Sequence, residues 1–268
     1  MQKTFTDQLG HEITINFPPK RIVSLVPSQT ELLFDMGLGN EVVGVTKFCI
    51  HPQENVKDIL KIGGTKNLRL DAIHELQPDL IIGNKEENQE DQIRELMRHY
   101  PVWMSDIHTL DEAREAIAGI GDIVDRAPEA AYLNHLINVG FTDLQTLALR
   151  QNLQQSALYF IWREPYMLVG PNTFIHDVLR QVGLINLVQT PRYPILDEDA
   201  LVKYRPNWIL LSSEPYPFKE QHIIELERLF PYSRVIIVDG EMFSWYGSRL
   251  VKAVQYFYQF QKKLVGAY

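Results

Sequence analysis

An internal repeat is the feature of this sequence that most constrains its fold. Three segments of the first half recur in the same order in the second half: residues 37–40, 71–82 and 90–101 align with residues 183–186, 199–210 and 220–231. The longest pair reads DAIHELQPDLII and DALVKYRPNWIL. A helix followed by proline and a buried strand is a common junction, so one match alone would carry little weight. Three ordered matches predict two units built on one plan.

Each predicted unit alternates strands with helices. Short apolar runs predict strands at residues 21–26, 42–45, 80–82, 102–104, 157–162, 209–211 and 235–238,. Helical spacing predicts helices at residues 30–36, 72–76, 89–98, 129–149 and 248–260,. Residues 5–15 are typical of a hairpin that turns at Gly10,. Strands that alternate with helices favour a parallel sheet covered on both faces.

A longer helical pattern separates the two halves. Its apolar positions recur every three or four residues: Leu110, Ala113, Ile117, Ile120 and Val124,. We therefore predict three parts, namely an N-terminal α/β lobe at residues 1–108, a single bridging helix at 109–126 and a C-terminal α/β lobe at 127–268.

Charge and cysteine content exclude several classes of protein. The chain of 268 residues has a formal net charge of −8, which argues against a nucleic-acid partner because such binding needs clustered Lys and Arg,. Cys49 is the only cysteine, so neither an intramolecular disulfide nor a Cys-rich zinc site can form,. The first residues lack the apolar core of a secretory signal, and no run reaches the roughly 18 apolar residues of a membrane span. We expect either a cytoplasmic protein or one whose leader or anchor has been removed.

The predicted architecture places a binding site at the loops that follow the strands. In open α/β sheets these loops form the ligand crevice, so the two lobes are expected to face each other across a cleft. Trp162 and Trp245 fall in or beside predicted loops of the second lobe, and each has an arginine within four residues. Flat aromatic faces beside guanidinium groups suit a large, partly planar ligand with peripheral carboxylate, amide or phenolate groups. Alternatively, the two tryptophans cap the sheet edge and the arginines are merely solvated.

Motifs of common enzymes are missing from the sequence. It contains no phosphate-binding loop, zinc-protease motif, nucleophile elbow or dinucleotide fingerprint,. Nothing in the sequence places a nucleophile beside a general base. The absence of these motifs does not exclude catalysis, but we assign no cofactor, catalytic residue or metal ligand.

His51 and two aspartates have competing interpretations. His51 would be an axial metal ligand or a hydrogen-bond donor, but a polar loop residue is favoured because no second metal-ligating residue stands at a suitable spacing,. Asp71 and Asp199 occupy equivalent repeat positions at predicted helix starts, where an acid stabilises free amides and the helix dipole,. The alternative is that these carboxylates, one per lobe, bind arginines of a dimeric partner.

Two motifs carry a family resemblance. Residues 19–31, PKRIVSLVPSQTE, and residues 76–82, LQPDLII, resemble the helical-backbone substrate-binding proteins of ABC importers. These proteins are the receptors for cobalamin, haem and ferric siderophores. The resemblance extends over essentially the whole chain. It implies an α/β fold of two Rossmann-like lobes with mostly parallel sheets joined by a single long bridging helix. It also implies no catalysis and a periplasmic or membrane-anchored, extracytoplasmic location.

The resemblance also implies roles for individual residues. Combined with the aromatic and arginine pattern, it gives these candidate ligand-binding residues: His51, Thr65, Lys66, Trp162, Arg163, Tyr166, Arg192, Tyr193, Phe243, Trp245 and Arg249. Thr65 stands where the cobalamin receptor has an aromatic residue. Asp71 and Asp199 match the acidic positions that dock on the ABC permease dimer, where the cobalamin receptor usually has glutamate.

The sequence therefore predicts a receptor that captures a metal chelate and delivers it to an ABC permease. A corrinoid such as cobalamin is the first expectation, and haem or a ferric siderophore is the near alternative. A cytoplasmic enzyme or chaperone that handles a corrinoid is the alternative from another class, because no leader precedes the chain.

Overall fold

Parallel strands flanked by helices form the centre of both halves of the chain in the computed structural model, which describes residues 1–266. The chain divides into two units. The first unit contains Met1–Ile107, Asp111–Leu136 and Tyr246–Arg249. The second contains His108–Leu110, Ile137–Trp245 and the chain from Leu250 onward. None of the helices described is both long and apolar enough to cross a lipid bilayer.

The first unit is built on a parallel sheet. Its elements in chain order are β1 (Gln2–Thr6), β2 (Glu12–Asn16), β3 (Ile22–Ser24), α1 (Pro27–Asp35), β4 (Val42–Val45), α2 (Gln53–Val56), β5 (Leu60–Lys61), β6 (Gly63–Gly64), β7 (Asn67–Leu68), α3 (Leu70–Leu76), β8 (Leu80–Asn84), α4 (Glu90–Met97), β9 (Val102–Ser105) and α5 (Leu110–Ile123). The sheet has five parallel strands in the order β5-β4-β3-β8-β9. The pairs β1–β2 and β6–β7 are separate antiparallel hairpins.

The second unit is built on a mixed sheet. The remaining elements are α6 (Ala127–Arg150), β10 (Gln155–Trp162), β11 (Tyr166–Leu168), α7 (Phe174–Gln181), β12 (Leu184–Asn186), β13 (Ile195–Leu196), α8 (Glu198–Leu201), β14 (Trp208–Ser212), α9 (Glu220–Leu229), β15 (Arg234–Val238), α10 (Gly240–Ser244) and α11 (Arg249–Val265). Strand β10 pairs in parallel with β12 and β14, and β14 pairs in parallel with β15. Strands β11 and β13 extend the sheet in antiparallel fashion.

The two sheets share a four-strand plan. The order β4-β3-β8-β9 in the first unit corresponds to β12-β10-β14-β15 in the second, and all of these neighbours are parallel. The aligned segments 71–82 and 199–210 both contain a helix and the start of the next central strand. The predicted plan of two α/β lobes is therefore confirmed, while the bridging role of residues 109–126 stays a prediction.

The strands are buried by helices packed closely on them. Every residue of β8, β9 and β14 is buried, as expected for strands covered on both faces,. Trp103 on β9 is 1% exposed. A Cβ at Gly119 on α5 would lie only 3.0 Å from Cζ2 of that indole, so glycine lets helix and strand approach this closely,.

The structure corrects two local predictions. Pro27 does not merely end the first central strand but is the first residue of α1, where its missing N–H costs no hydrogen bond,. The stretch before the helix predicted at residues 248–260 was expected to contain only a loop around Trp245, but α10 occupies Gly240–Ser244 and leaves residues 245–248 before α11.

Candidate functional site

Buried hydrogen bonds fix the carboxyl ends of the first sheet. Asn84 and Ser105 are the last residues of β8 and β9, and both are buried. Oγ of Ser105 accepts hydrogen bonds from Nε2 of Gln29 at 2.7 Å and Nδ2 of Asn84 at 2.9 Å. Because buried polar groups are costly when unpaired, this network holds the strand ends in one arrangement.

The same network positions Thr65 and Lys66. Oδ1 of Asn88 accepts a hydrogen bond from the backbone N–H of Asn84 at 2.9 Å, and Nδ2 of Asn88 donates to the backbone carbonyl of Thr65 at 3.1 Å. Thr65 is 8% exposed, whereas Lys66 is exposed and its Nζ donates to the carbonyl of Glu86. Of these two predicted ligand contacts, Lys66 is the accessible one.

The loop after β4 exposes apolar side chains. Phe48 and Ile50 are 51% and 50% exposed. A Cβ at Gly64 would lie 3.2 Å from Cε2 of Phe48, so the ring rests on the β6–β7 hairpin. Nζ of Lys47 lies 5.0 Å from the centroid of the Phe48 ring. His51 follows directly and is partly buried, so this loop combines aromatic, aliphatic and basic side chains.

Cys49 lies in that loop but faces the interior. It is 2% exposed, and its Sγ accepts a hydrogen bond from Oγ1 of Thr30 at 3.1 Å. Burial raises the pKa of the thiol, which makes it a poor nucleophile and metal ligand,. Within residues 1–266, no group of three or more His, Cys, Asp and Glu side chains is arranged to hold a metal ion.

An aromatic pair lies at the carboxyl ends of β10 and β14 in the second unit. Trp162 ends β10 and is 40% exposed. Its ring packs edge-on against Tyr216, with 5.5 Å between centroids, and Tyr216 packs in turn on Phe218 at 4.7 Å. We call Trp162 and Tyr216 the aromatic patch. Tyr216 was absent from the predicted contacts, although the Pro-Tyr-Pro of residues 215–217, after a buried strand, was the signal that could have found it.

A carboxylate holds Arg163 at this patch. Nε and Nη2 of Arg163 donate to Oε1 of Glu225 at 3.0 and 2.9 Å, and Tyr166 donates its hydroxyl to the same oxygen. Burial alone would raise the pKa of Glu225, but the hydrogen bonds from Tyr166 and Arg163 lower it,. Tyr166 is 9% exposed, so it orients Glu225 from the interior and does not contact a ligand directly. Arg163, next to Trp162 in the chain, is partly exposed.

Arg192 and Tyr193 form a second pair of cation and aromatic ring. The Arg192 guanidinium lies 5.5 Å from the centroid of the Tyr193 ring. Nη1 of Arg192 donates to the carbonyl of Asn172 at 2.9 Å and lies 3.4 Å from Nδ1 of His108. Both members are partly buried, so the pair is ordered but still reachable from solvent.

Phe243 and Trp245 lie inside the second unit. Phe243 is fully buried, with ring centroids 5.2 Å from Tyr159 and 4.9 Å from Phe257. Trp245 is 8% exposed, and its Nε1 donates to Oε1 of Glu214 at 2.9 Å. Burial raises the pKa of Glu214. We do not retain Phe243 as a ligand contact, and only the edge of Trp245 reaches solvent.

Arg249 forms a buried ion pair in the first unit. Its Nε and Nη2 lie 2.7 and 2.9 Å from Oε2 and Oε1 of Glu31, and the two side chains are 6% and 3% exposed. Gly247 has a φ of +111°, and a Cβ there would lie 3.1 Å from the Ser28 carbonyl oxygen. Tyr246–Arg249 therefore packs tightly on α1, and we do not retain Arg249 as a ligand contact.

Asp71 and Asp199 occupy the same place in their helices. Each is the second residue of its helix, α3 or α8, and each is exposed. The cap of α8 is Asp197, whose Oδ1 accepts from the Ala200 amide at 2.8 Å, and Arg69 stands at the cap of α3. Neither aspartate is the N-cap residue itself, but both lie in the first turn of their helices, where a carboxylate stabilises the helix dipole as the sequence predicts,.

Comparisons with known proteins show similarity over most of the chain. The "Uncharacterized ABC transporter substrate-binding lipoprotein YvrC" of Bacillus subtilis is 28% identical over 264 residues, covering 94% of this chain and 83% of that protein. A "Vitamin B12-binding protein" of Vibrio campbellii is 25% identical over 203 residues, covering 74% and 72%.

A similar solved structure is the periplasmic haem-binding protein RhuT from Roseiflexus. Its TM-score is 0.80 at 21% identity, and the match covers 92% of this chain and 98% of RhuT. At this identity the likeness concerns the fold. The sequence pattern of the periplasmic binding protein family, in turn, matches residues 22–229. With most of its 268 residues inside that match, the chain belongs to the periplasmic binding protein family.

Proposed function

We propose that this protein is the substrate-binding receptor of an ABC importer and that it captures a metal chelate without chemically changing it. A corrinoid is the first candidate, and haem or a ferric siderophore is the alternative. The observation that carries the proposal is the aromatic patch, with Arg163 beside it, at the carboxyl ends of the second sheet.

The chemistry of the patch fits a macrocyclic chelate. The exposed indole of Trp162 and the partly buried phenol ring of Tyr216 provide flat apolar area for the ligand,. Arg163 provides N–H donors for amide or carboxylate groups at the ligand's edge, and its ion pairs with Glu225 and Glu164 fix the guanidinium before binding,. In the first unit, Phe48 offers an exposed ring and Lys66 a positive charge.

The relatives favour the same ligand class. One is named a vitamin B12-binding protein, and a structure with a similar fold is a haem-binding protein. Both ligands are large, flat metal complexes with polar peripheral groups, which is why the proposal names the class and ranks the corrinoid first.

Equilibrium dialysis with four chelates tests the proposal. Cyanocobalamin, dicyanocobinamide, haemin and a ferric tris-catecholate are each dialysed against the protein, because dialysis is unaffected by their strong absorbance. We expect at least one to be retained with a Kd of about 1 μM or lower. Trp162→Ala should weaken that binding about tenfold or more, whereas Tyr132→Ala, which removes a 63% exposed ring on α6, should not change it,. Retention of none of the four would contradict the proposal.

We also propose that Asp71 and Asp199 dock on an ABC permease dimer outside the cytoplasmic membrane. Their exposure and equivalent positions support this role, and a relative is named a lipoprotein. The double variant Asp71→Asn with Asp199→Asn should bind the chelate normally but fail to support its uptake by cells. Normal uptake would contradict the docking role and leave the binding role intact.

A further inference from the structure

A polar cavity lies at the opposite edge of the second sheet from the aromatic patch. Gln155, Trp208 and Arg234 are the first residues of β10, β14 and β15, and all three line it. Because these strands are parallel, their first residues share the amino-terminal edge of the sheet, whereas the aromatic patch lies at the carboxyl edge. The cavity has a volume of about 530 Å³, within the range of about 300 to 1,000 Å³ of small-molecule sites.

Side-chain amides dominate the lining of this cavity. Asn152, Gln154, Gln155 and Asn207 all contribute to it, and none of the lining residues found within residues 1–266 is an Asp or a Glu. An amide carries both hydrogen-bond donors and acceptors, as a sugar hydroxyl does. The lining therefore matches a ligand whose groups donate and accept at the same time.

Some of these amides are fixed and others are available. Nε2 of Gln155 donates to the Leu264 carbonyl at 2.9 Å, and its Oε1 accepts from the Trp208 indole. Oδ1 of Asn207 accepts from the amide and hydroxyl of Ser156 at 2.8 and 2.9 Å, which orients its NH₂ group. Asn207 and Gln154 are exposed, so their amide groups can reach a bound molecule.

Aromatic rings complete the site. Tyr232 is 96% exposed and lines the cavity beside Trp208. The Arg234 guanidinium lies 5.6 Å from the centroid of the Trp208 ring. The face of a pyranose ring that carries only C–H groups is apolar and packs on an aromatic ring, while its hydroxyls point sideways toward polar groups. One arginine is too little charge for a nucleotide or polyphosphate, which need several cations or a helix N-terminus.

We propose that this cavity binds a short oligosaccharide, with Tyr232 as the stacking ring and with Asn207 and Gln154 as hydrogen-bonding residues. This second site is independent of the proposed chelate site. Arg234 makes the site tolerant of a carboxylated sugar, so neutral and acidic saccharides are separate arms of the test.

The test is isothermal titration calorimetry of the full chain with chitotriose, cellotriose, maltotriose and trigalacturonate. We expect at least one to bind with a Kd of about 1 mM or lower. Tyr232→Ala and Gln154→Ala, both at exposed positions that should not disturb folding, should each weaken it about fivefold or more,. Tyr132→Ala is the matched control and should leave the affinity unchanged.

Two results would overturn the proposal. One is the absence of binding by all four trisaccharides up to about 10 mM. The other is binding that Tyr232→Ala weakens no more than Tyr132→Ala does. Trp162→Ala should leave saccharide binding intact, so failure of this site and failure of the chelate site are distinguishable.

Discussion

The central strands of the two sheets have the same order, but what is added to them differs. The first sheet gains β5 and is followed by the small β6–β7 hairpin, whereas the second gains β11 and β13. The antiparallel pairing of β10 with β11 continues past Phe160, the last β10 residue that pairs with β14, as far as Trp162. Trp162 of the aromatic patch thus lies on an addition to the shared plan. The comparison teaches that the two sheets share their central strands and differ in the strands around them.

The helices after the first central strands differ as well. Both bury an acid, Glu31 on α1 and Asp177 on α7. Glu31 pairs with the buried Arg249. Asp177 instead accepts from the Leu110 amide at 2.9 Å and pairs with Arg180, whose side chain is 71% exposed. One carboxylate depends on a buried cation and the other on a backbone amide.

The largest expected effect is on stability, when the arginine beside each buried acid is replaced. Arg249→Met removes the buried cation that pairs with the buried Glu31 carboxylate, which should lower the free energy of unfolding by about 3–5 kcal/mol,. Arg180→Met removes an exposed partner, while Asp177 keeps its amide donor, so it should cost less than about 1 kcal/mol,. Urea unfolding of both variants measures the difference.

A double variant checks the cause of that effect. Adding Glu31→Leu to Arg249→Met also removes the buried carboxylate that has lost its cation, and it should recover most of the lost stability. Equal destabilisation by Arg249→Met and Arg180→Met would show that the two buried acids are supported in the same way.

A smaller effect compares the exposed aromatic residues of the two sheets. Tyr216→Ala should weaken chelate binding about tenfold because it also removes the ring on which Trp162 packs,. Phe48→Ala should weaken it less than about threefold, since that ring rests on the β6–β7 hairpin without an aromatic neighbour of this kind,. Dialysis with the retained chelate measures both, and a larger loss for Phe48→Ala would reverse the ranking of the two edges.

The smallest expected effect is the pH dependence of the stability that Glu225 contributes by holding Arg163. The pKa of Glu225 is lowered in the folded protein by its hydrogen bonds from Tyr166 and Arg163. Its contribution to stability is therefore present above the ordinary glutamate pKa of 4.5 and is lost as pH falls through the folded pKa,. Glu225→Gln should therefore cost about 1 kcal/mol near neutral pH and progressively less in acid.

Thermal unfolding at several pH values measures that dependence. Glu227→Gln, at an exposed position of the same helix, is the control and should leave the pH profile of the wild type unchanged. A cost of Glu225→Gln that stays constant into acid would show that Glu225 does not hold Arg163 as a carboxylate.

The shared plan could be predicted because its signals are local. Apolar runs bounded by Pro and Gly marked the central strands, and β4 has the bounds that the sequence predicted,. The short strands β11 and β13 were not predicted because two or three residues carry no periodicity. Strand β11 pairs with β10, and β13 pairs with β11. The candidate site residues were harder to predict, because the burial of a side chain depends on contacts with residues distant in sequence.

Arg249 illustrates that limit. Its partner Glu31 is 218 residues away, so the local pattern predicted a ligand-binding arginine near a tryptophan where the structure has a buried ion pair. Trp162 illustrates the opposite case, because its position at a strand end is a local property and its exposure follows from it.

The short segment Tyr246–Arg249 has a practical consequence for splitting the gene. It belongs to the first unit, although the residues on either side of it belong to the second. A fragment cut after Leu136 would lack the guanidinium that pairs with Glu31 and would bury that carboxylate without its cation,. Chimaeras that exchange one half between related receptors must therefore graft this tetrapeptide along with the front half, and a single crossover point will not suffice.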